Sequence, residues 1–370
     1  MSTLVDFIPE ALSTGTCKRK SFLLSRQSGM MISECRICGE KKVLSQWLHI
    51  CSDCIRTDFD QSLPFIEKAH RKIKKEYSMP ETPPHEGVPC GFCVNECRMK
   101  EGEPGYCGTR ENKGGRIIPT SGSEAVAYVE CYHDPLPTNC VSMEFCGERT
   151  TKGKQNLAVF YGACTYNCLF CQNWHYRKVN HTMSVDDLDS WVDDDTACIC
   201  YFGGDPTPQI LHALKVAGAV SIRICWETNG AFSKGLARKV GKTAFHSGGT
   251  IKFDLKAYSE NLNYALCGSS NRNTLSNFAY IYETFQRADP PILVASTLLV
   301  PGYTDEEEVS RIAEFIAGID PDIPYCLLAF SPHFKMRDLP YTSRTHADSC
   351  LKAAQKYLTR VRMGNIWLLV

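Results

Sequence analysis

The stretch Gly162-Ala-Cys164-Thr-Tyr-Asn-Cys168-Leu-Phe-Cys171-Gln-Asn-Trp174 directly follows the apolar run Leu157–Tyr161. Three cysteines therefore lie on one loop that leaves a predicted strand. Thiolates at this spacing can bind three irons of one [4Fe–4S] cube, but the next cysteine is 27 residues farther along the chain. One iron is left without a local ligand. The alternative is a zinc or ferredoxin-type site with a distant fourth cysteine, although structural zinc normally takes a closed set of four ligands.

Short apolar runs continue after this loop, and most of the gaps between them are long enough to hold a helix. Strands that alternate with helices predict an α/β fold with a parallel sheet, open or closed into a barrel. In such folds the chemistry collects at the carboxyl ends of the strands. The predicted later strands are Ala197–Phe202, Ile222–Trp226, Thr250–Leu255, Ile292–Val300, Tyr325–Phe330 and Ile366–Val370.

Composition excludes several classes of protein. The chain has 370 residues with 41 basic and 41 acidic side chains, so it lacks the basic excess that binding to nucleic acid requires. Neither a signal-peptide pattern nor an uncharged apolar stretch of about twenty residues occurs, which argues against secretion and membrane insertion. We therefore expect a cytoplasmic protein in which the clusters among the 21 cysteines form several metal sites rather than disulfides.

Two cysteine groups precede the central loop. The first has two C-x2-C pairs with 12 residues between them, which predicts a zinc ribbon with a structural role; a docking finger or a redox cluster is the alternative. Its ligands would be Cys35, Cys38, Cys51 and Cys54.

The second group fits zinc or an auxiliary iron–sulfur cluster equally well, and consists of Cys90, Cys93, Cys97 and Cys107. Among the remaining thiols, Cys131, Cys140 and Cys146 either complete a further site or stand alone. The thiols within apolar strands are expected to be buried small hydrophobic groups: Cys198, Cys200, Cys225 and Cys326.

C-x3-C-x2-C with an aromatic residue, Phe170, before the third cysteine resembles the radical SAM superfamily. That resemblance implies a partial (β/α)6-type barrel and a cluster bound by Cys164, Cys168 and Cys171. Motifs at successive strand ends resemble the positions where the family contacts S-adenosylmethionine, although each alone is also an ordinary turn. The contacts it implies are Gly203, Gly204, Asp205, Glu227, Asn229, Asp254, Lys256, Pro301 and Gly302.

Within the superfamily, residues 88–370 are most similar to the group of pyruvate formate-lyase activating enzyme, and there to the AmmeMemoRadiSam-system proteins. The similarity departs from the group around residues 131–150. It rests on five segments: Cys90-Gly-Phe-Cys93-x3-Cys97, Gly102–Asn112, Cys171-Gln-Asn-Trp174, Asp254-Leu-Lys256 and Phe330–Pro340.

The predicted organisation has five parts. They are a leader at 1–30 that is disordered or untranslated, a zinc-ribbon-like module at 31–57, a helix and Pro-rich linker at 58–89, a second cysteine-rich module at 90–155, and the radical SAM barrel at 156–370.

The resemblance implies an enzyme that cleaves S-adenosylmethionine reductively and uses the resulting 5′-deoxyadenosyl radical to abstract hydrogen from an unknown substrate. Analogy with glycyl-radical activases favours a protein substrate, and a small molecule is the alternative. An electron donor such as ferredoxin or flavodoxin is implied as well. The rival from another class is a non-catalytic multi-zinc scaffold or adaptor.

Overall fold

A nine-stranded sheet organises the chain, as seen in a computed structural model that describes residues 32–138 and 140–370. The predicted leader, residues 1–30, lies outside the described residues. The order across the sheet is β15-β14-β13-β12-β11-β10-β8-β7-β9. Strands β8 and β10 to β15 are parallel to one another, whereas β7 and β9 extend one edge of the sheet antiparallel. The sheet is thus open, as in the partial barrel that was predicted.

The strands of this sheet are β7 (Val126–Pro135), β8 (Gln155–Tyr161), β9 (Thr182–Ser184), β10 (Thr196–Gly203), β11 (Arg223–Thr228), β12 (Ile251–Asp254), β13 (Leu293–Leu299), β14 (Tyr325–Ala329) and β15 (Val361–Gly364). Three small antiparallel hairpins precede it, formed by β1 (Ile32–Glu34) with β2 (Lys41–Val43), β3 (Val88–Pro89) with β4 (Arg98–Met99), and β5 (Arg110–Lys113) with β6 (Arg116–Pro119).

The helices are α1 (Ser52–Thr57), α2 (Phe59–Glu76), α3 (Val185–Asp189), α4 (Ile210–Ala219), α5 (Lys234–Ser247), α6 (Glu260–Cys267), α7 (Arg272–Thr284), α8 (Glu306–Ala317) and α9 (Arg344–Gln355). No helix among the described residues is long and apolar enough to cross a membrane.

Helices cover only one face of the parallel sheet. Alternate side chains of each strand point to opposite faces, and in β10 Ile199 and Tyr201 join the core with buried residues of α4, α5 and α8. The intervening Cys198 and Cys200 therefore face the concave interior, which the segment between β7 and β8 covers. These two thiols are buried, as expected, but they lie in a group of thiols rather than among hydrocarbon side chains.

The strand predicted at Ile366–Val370 is wrong. Residues 366–368 form a short 3-10 helix, and the last strand is β15, which ends just before that run. Asn365 has a φ of 55°, a left-handed conformation that breaks an extended chain. The apolar pattern did not predict β15 because Arg360 and Arg362 interrupt it. An edge strand can carry such charged side chains, whereas a central strand cannot.

The first cysteine module docks on the carboxyl end of β13. The Tyr303 hydroxyl accepts a hydrogen bond from the Ser45 backbone N–H at 3.0 Å and donates to the Ile50 carbonyl at 3.2 Å. Arg56 of α1 forms an ion pair with Asp305 at 2.8 Å. The module thereby shares a buried apolar core with the central cysteine loop.

The second cysteine module leads into the sheet. Strand β7 precedes the boundary predicted between residues 155 and 156, and its residues 129–135 pair with the whole of β8. The predicted module therefore has its last strand inside the main sheet.

Candidate cluster and cofactor site

The three cysteines of the central loop follow β8 directly and lie at the carboxyl end of the parallel strands. Cys164 and Cys168 are each only 9% exposed, and Cys171 is half-buried. Two backbone hydrogen bonds hold the loop against α6, from the Asn167 N–H to the Cys267 carbonyl at 2.7 Å and from the Leu169 N–H to the Leu266 carbonyl at 2.9 Å. Contacts with α6 therefore position the loop.

Two hydrogen-bond donors point at the sulfur of Cys164, although burial raises the pKa of this thiol well above its usual value. The Tyr166 backbone N–H lies 3.4 Å from its Sγ, and the Asn229 amide Nδ2 lies 3.6 Å from the same atom. The Asn229 Nδ2 also donates to the Thr165 hydroxyl at 2.9 Å. Donors aimed at a sulfur stabilise its charged form, which is the form that binds metals.

Two buried cations face the same thiols. Arg177 donates to the Asn167 side-chain oxygen at 2.9 Å, and negative charge on the three cysteines contributes to raising its pKa against the opposing effect of burial. Lys256 forms an ion pair with Asp254 at 2.9 Å; burial lowers its pKa, but Asp254 and Cys168 outweigh this and raise it. These cations offset the charge that an anionic cluster brings into a buried site.

A fourth thiol, not anticipated from the sequence, lies beside the loop. Cys267 is the last residue of α6 and is fully buried. Interaction with its thiol, followed by burial, raises the pKa of Cys168 well above the usual value. No spacing rule connects residues 99 positions apart, so only the docking of α6 against the loop reveals this neighbour.

The Gly203-Gly204-Asp205 motif joins the end of β10 to the cysteine loop. A Cβ on Gly204 would lie 2.2 Å from the Tyr161 carbonyl oxygen, and its φ of +65° also favours glycine. The Asp205 N–H donates to the Ala163 carbonyl at 2.9 Å. The motif thus contacts the cysteine loop directly, and its role as a cofactor contact stays a prediction.

The Asp205 carboxylate connects two strand ends. Its oxygens accept hydrogen bonds from the Thr207 N–H at 2.9 Å, the Thr228 hydroxyl at 2.8 Å and the Asn229 N–H at 2.9 Å. Burial raises the pKa of Asp205 despite these donors. A carboxylate has about four acceptor positions, so one remains for an external donor.

Four charged side chains form a buried chain across β11 and β12. Lys252 lies 2.8 Å from Glu227 and 2.9 Å from Asp254, and Lys256 also contacts Asp254. Burial would raise the pKa of Asp254, but the two lysines hold it well below its usual range. The sequence indicated all of these residues except Lys252. A lysine inside a strand normally suggests a solvent-exposed side chain or an edge strand, so the sequence did not mark Lys252 as part of a site.

The Pro301-Gly302 turn has a contact that the sequence did not predict. A Cβ on Gly302 would lie 2.0 Å from the Val43 carbonyl oxygen. The turn therefore packs against β2 of the first cysteine module, and the contact with adenine implied for Pro301 and Gly302 stays a prediction.

A family model matches one part of the chain. The model of the radical SAM superfamily matches residues 158–316, which include the cysteine loop and the ends of β10 to β13. Residues 158–316 form a radical SAM domain.

Relatives of this radical SAM domain occur in Methanocaldococcus jannaschii. A protein named as a glycyl-radical enzyme activating enzyme is 28% identical over 164 residues, which are 43% of this chain and 60% of that protein. An uncharacterised protein is 21% identical over 290 residues, which are 72% of this chain and 75% of its own length. The chain thus spans about three fifths of the first relative.

Among solved structures, a domain of pyruvate-formate lyase-activating enzyme from Bacteroides vulgatus is similar, with 21% identity and a TM-score of 0.36. The similarity covers 45% of this chain and 98% of the domain.

In front of the radical SAM domain, the first cysteine group converges on one point. All four sulfurs lie within 4.8 Å of one another, with Cys35 and Cys54 at 3.8 Å and Cys38 and Cys51 at 3.9 Å. Two thiolates bound to one zinc at about 2.3 Å in a tetrahedron lie about 3.8 Å apart. The geometry therefore fits a single tetrahedral zinc.

The second cysteine group surrounds a small cavity that also reaches Thr165 of the cluster loop; its thiols are Cys90, Cys93, Cys97 and Cys107. The Asn95 amide donates to the Thr165 carbonyl at 2.8 Å, so the module touches the radical SAM domain next to Cys164. Lys74 of α2 is 2% exposed and donates to the Tyr106 carbonyl at 2.7 Å. Burial lowers its pKa to about 7, whereas nearby thiols, among them Cys107 and Cys164, oppose that shift.

Proposed function

We propose that this protein is a radical SAM enzyme that cleaves S-adenosylmethionine reductively to abstract hydrogen from a substrate. The observation that carries the proposal is the buried loop of three thiols at the carboxyl end of the sheet, with donors and cations aimed at it. The residues fit an iron–sulfur cube with one open iron, because Cys164, Cys168 and Cys171 supply three ligands and Arg177 and Lys256 offset the charge.

In this proposal each residue has a separate task. When bound, the cluster and S-adenosylmethionine supply the one-electron cleavage of a carbon–sulfur bond that yields methionine and the 5′-deoxyadenosyl radical. Gly203, Gly204 and the free acceptor position of Asp205 would orient the cofactor's ammonium group. Asn229 holds Cys164 in position. The buried site around them excludes water from a reactive intermediate.

Further cofactor contacts are proposed on the neighbouring strand ends. Glu227, Asp254 and Lys256 would hold the polar parts of the cofactor through the charged chain described above, and Pro301 and Gly302 would border the adenine. The first cysteine group would bind structural zinc. The second would bind zinc or an auxiliary cluster, and its contact with Thr165 favours the cluster, which could exchange electrons with the site.

For the substrate, the relative named for glycyl-radical enzyme activation supports an activase-like role on a protein. A small-molecule substrate is the alternative. Electrons would come from a reduced ferredoxin or flavodoxin, which remains a proposal. We also propose a cytoplasmic location, consistent with the many free thiols.

The decisive experiment is anaerobic reconstitution of the full chain with iron and sulfide, followed by reduction with dithionite in the presence of S-adenosylmethionine. We expect a brown protein that forms 5′-deoxyadenosine and methionine. Variants Cys164→Ala, Cys168→Ala and Cys171→Ala should lose the cluster absorbance and the products, whereas Cys350→Ala, in the distant helix α9, should keep both. A colourless wild-type protein that binds only zinc would establish the scaffold alternative instead.

Cys267→Ala tests whether one iron is open. If the proposal holds, this variant keeps the cluster and the cleavage, because Cys267 contacts Cys168 as a thiol and is not a ligand. Loss of iron in Cys267→Ala, matched by loss in each loop variant, would mean a four-thiolate cluster with no position for the cofactor. Iron content and cleavage activity are both measured, so loss of the cluster can be distinguished from loss of cleavage alone.

A further inference from the structure

A second group of thiols lies inside the barrel, away from the cysteine loop. The segment between β7 and β8 crosses the concave face of the sheet and encloses a cavity there. The cysteines that line it are Cys140, Cys146, Cys198, Cys200 and Cys225. This concentration of thiols has no role in the function proposed above.

Three side chains in this cavity converge on one point. The ligand atoms of Cys140, Cys200 and Glu227 all lie within 4.8 Å of one another. The Cys140 Sγ is 3.1 Å and the Cys200 Sγ 4.0 Å from Glu227 Oε1. In a tetrahedral zinc site a thiolate sulfur and a carboxylate oxygen lie about 3.6 Å apart, a value between the two distances.

We propose that Cys140, Cys200 and Glu227 bind one thiophilic divalent cation, Zn²⁺, inside the barrel. Two thiolates and a carboxylate suit zinc better than calcium or magnesium, which prefer oxygen ligands alone. Three protein ligands leave one position of the tetrahedron open to the cavity, as in zinc sites that bind a water or a substrate. The cavity has a volume of about 20 Å³, which gives room for one water at that position.

Charge balance favours this ion. Glu227 and Asp254 are neutralised by Lys252 and Lys256, so the buried network carries no net charge before the metal binds. Binding of Zn²⁺ with release of the two thiol protons to solvent leaves the net charge unchanged. A dication without deprotonated thiols would leave an uncompensated buried charge, which is strongly unfavourable.

Ser142 supplies an independent indication of a ligand. Its backbone N–H donates to the Cys140 Sγ at 3.3 Å, as it would to a bound thiolate. Its hydroxyl is buried without any hydrogen-bond partner, in a residue that is 4% exposed and lines the same cavity. A buried hydroxyl without a partner costs about 1–3 kcal/mol, which a ligand in the cavity would relieve.

Cobalt titration of the full-length chain, purified anaerobically and treated with a chelator, tests the site. Wild-type protein should bind one Co²⁺ more than Cys140→Ala or Cys200→Ala, and the thiolate-to-cobalt charge-transfer band should decrease in proportion. The matched control is Cys131→Ala, because Cys131 lies on β7 outside the cavity. Equal stoichiometry in wild-type protein and both cavity variants would overturn the proposal.

Alkylation of the wild-type chain provides a second test that does not depend on folding of a variant. Cys140 and Cys131 are both partly exposed, so each reacts with a maleimide at a rate that peptide mapping can follow. Zn²⁺ added in excess over all the proposed zinc sites should slow modification of Cys140 at least tenfold and leave Cys131 unchanged. An unchanged rate at Cys140 contradicts the site, irrespective of iron content or cleavage of S-adenosylmethionine.

Discussion

At the scale of single residues, the cluster site depends on a few buried polar side chains whose partners are all identifiable. Asn229 links Cys164 to Thr165, and Asp205 links the ends of two strands. Lys256 places a cation between Asp254 and Cys168. Such groups are costly to bury unless each has a partner, so their placement follows from the charge that the site is built to hold.

Replacing Lys256 with methionine should make the cluster harder to reduce. Loss of a nearby cation destabilises the additional negative charge of the reduced cluster, so the midpoint potential of Lys256→Met becomes more negative. Potentiometric titration followed by EPR measures it. The control is Lys352→Met on the exposed side of α9, and an equal potential in Lys256→Met and wild type would contradict the assigned proximity.

His70 should make stability depend on pH. Burial inside the protein lowers the pKa of His70 to about 4 from 6.5, although the hydrogen bond between its ring and the Ala265 carbonyl opposes the shift. A group with a depressed folded-state pKa destabilises the fold as pH falls from 6.5 towards 4, and the loss between pH 7 and pH 5 is about 2 kcal/mol. Denaturant unfolding at both pH values should show that loss, and His70→Gln should reduce it; equal pH sensitivity in the two proteins would refute the assignment.

At the scale of elements, glycines determine how closely the strand ends approach the cysteine loop. Gly204 has no room for a Cβ, and Gly302 is similarly close to β2. The register of β10 against β8 shifts between Tyr201 and Gly203, which brings the motif beside the loop. Close backbone contact thus couples the end of β10 to the metal-binding segment.

Gly204→Ala should destabilise the protein by about 2–4 kcal/mol, since the new methyl group meets two carbonyl oxygens and the backbone has a positive φ. Gly218→Ala is the matched control: it lies in α4 with no atom within 4 Å of the new Cβ, and alanine favours a helix. Denaturant unfolding of both variants measures the difference. Equal stability of the two variants would show that Gly204 does not pack as described.

At the scale of the whole molecule, the first cysteine module is part of the same buried core as the radical SAM domain. Its attachment depends on Arg56, which reaches Asp305 at 2.8 Å and Glu308 at 3.5 Å. Glu308 is fully buried and also accepts from the Tyr258 and Ser259 N–H groups. The first cysteine module thereby stabilises the end of β13 from outside the barrel.

Arg56→Met should therefore cost about 3 kcal/mol, because Glu308 would lose its cation while remaining buried. The control is Arg311→Met, which removes an exposed ion pair to Glu307 with a distance similar to that between Arg56 and Asp305. This variant should change the free energy of unfolding by less than about 1 kcal/mol. Limited proteolysis should also cut residues 58–89 faster in Arg56→Met. Equal stability and equal cleavage of the two variants would exclude this attachment.

The spacing of cysteines and the alternation of apolar runs by themselves predicted the three-cysteine loop after β8, the grouping of the first four cysteines and a parallel sheet, because these patterns are local. Only the tertiary structure decided that Cys267 lies beside Cys168, that Cys140 meets Cys200 and Glu227, and that Gly302 packs on the first module. Those contacts join positions about 60 to 260 residues apart, so they depend on strand order and on the packing of segments across the sheet. The position of the last strand also depended on the tertiary structure, because Asn365 ends β15 through a left-handed backbone conformation that the pattern of apolar residues does not indicate.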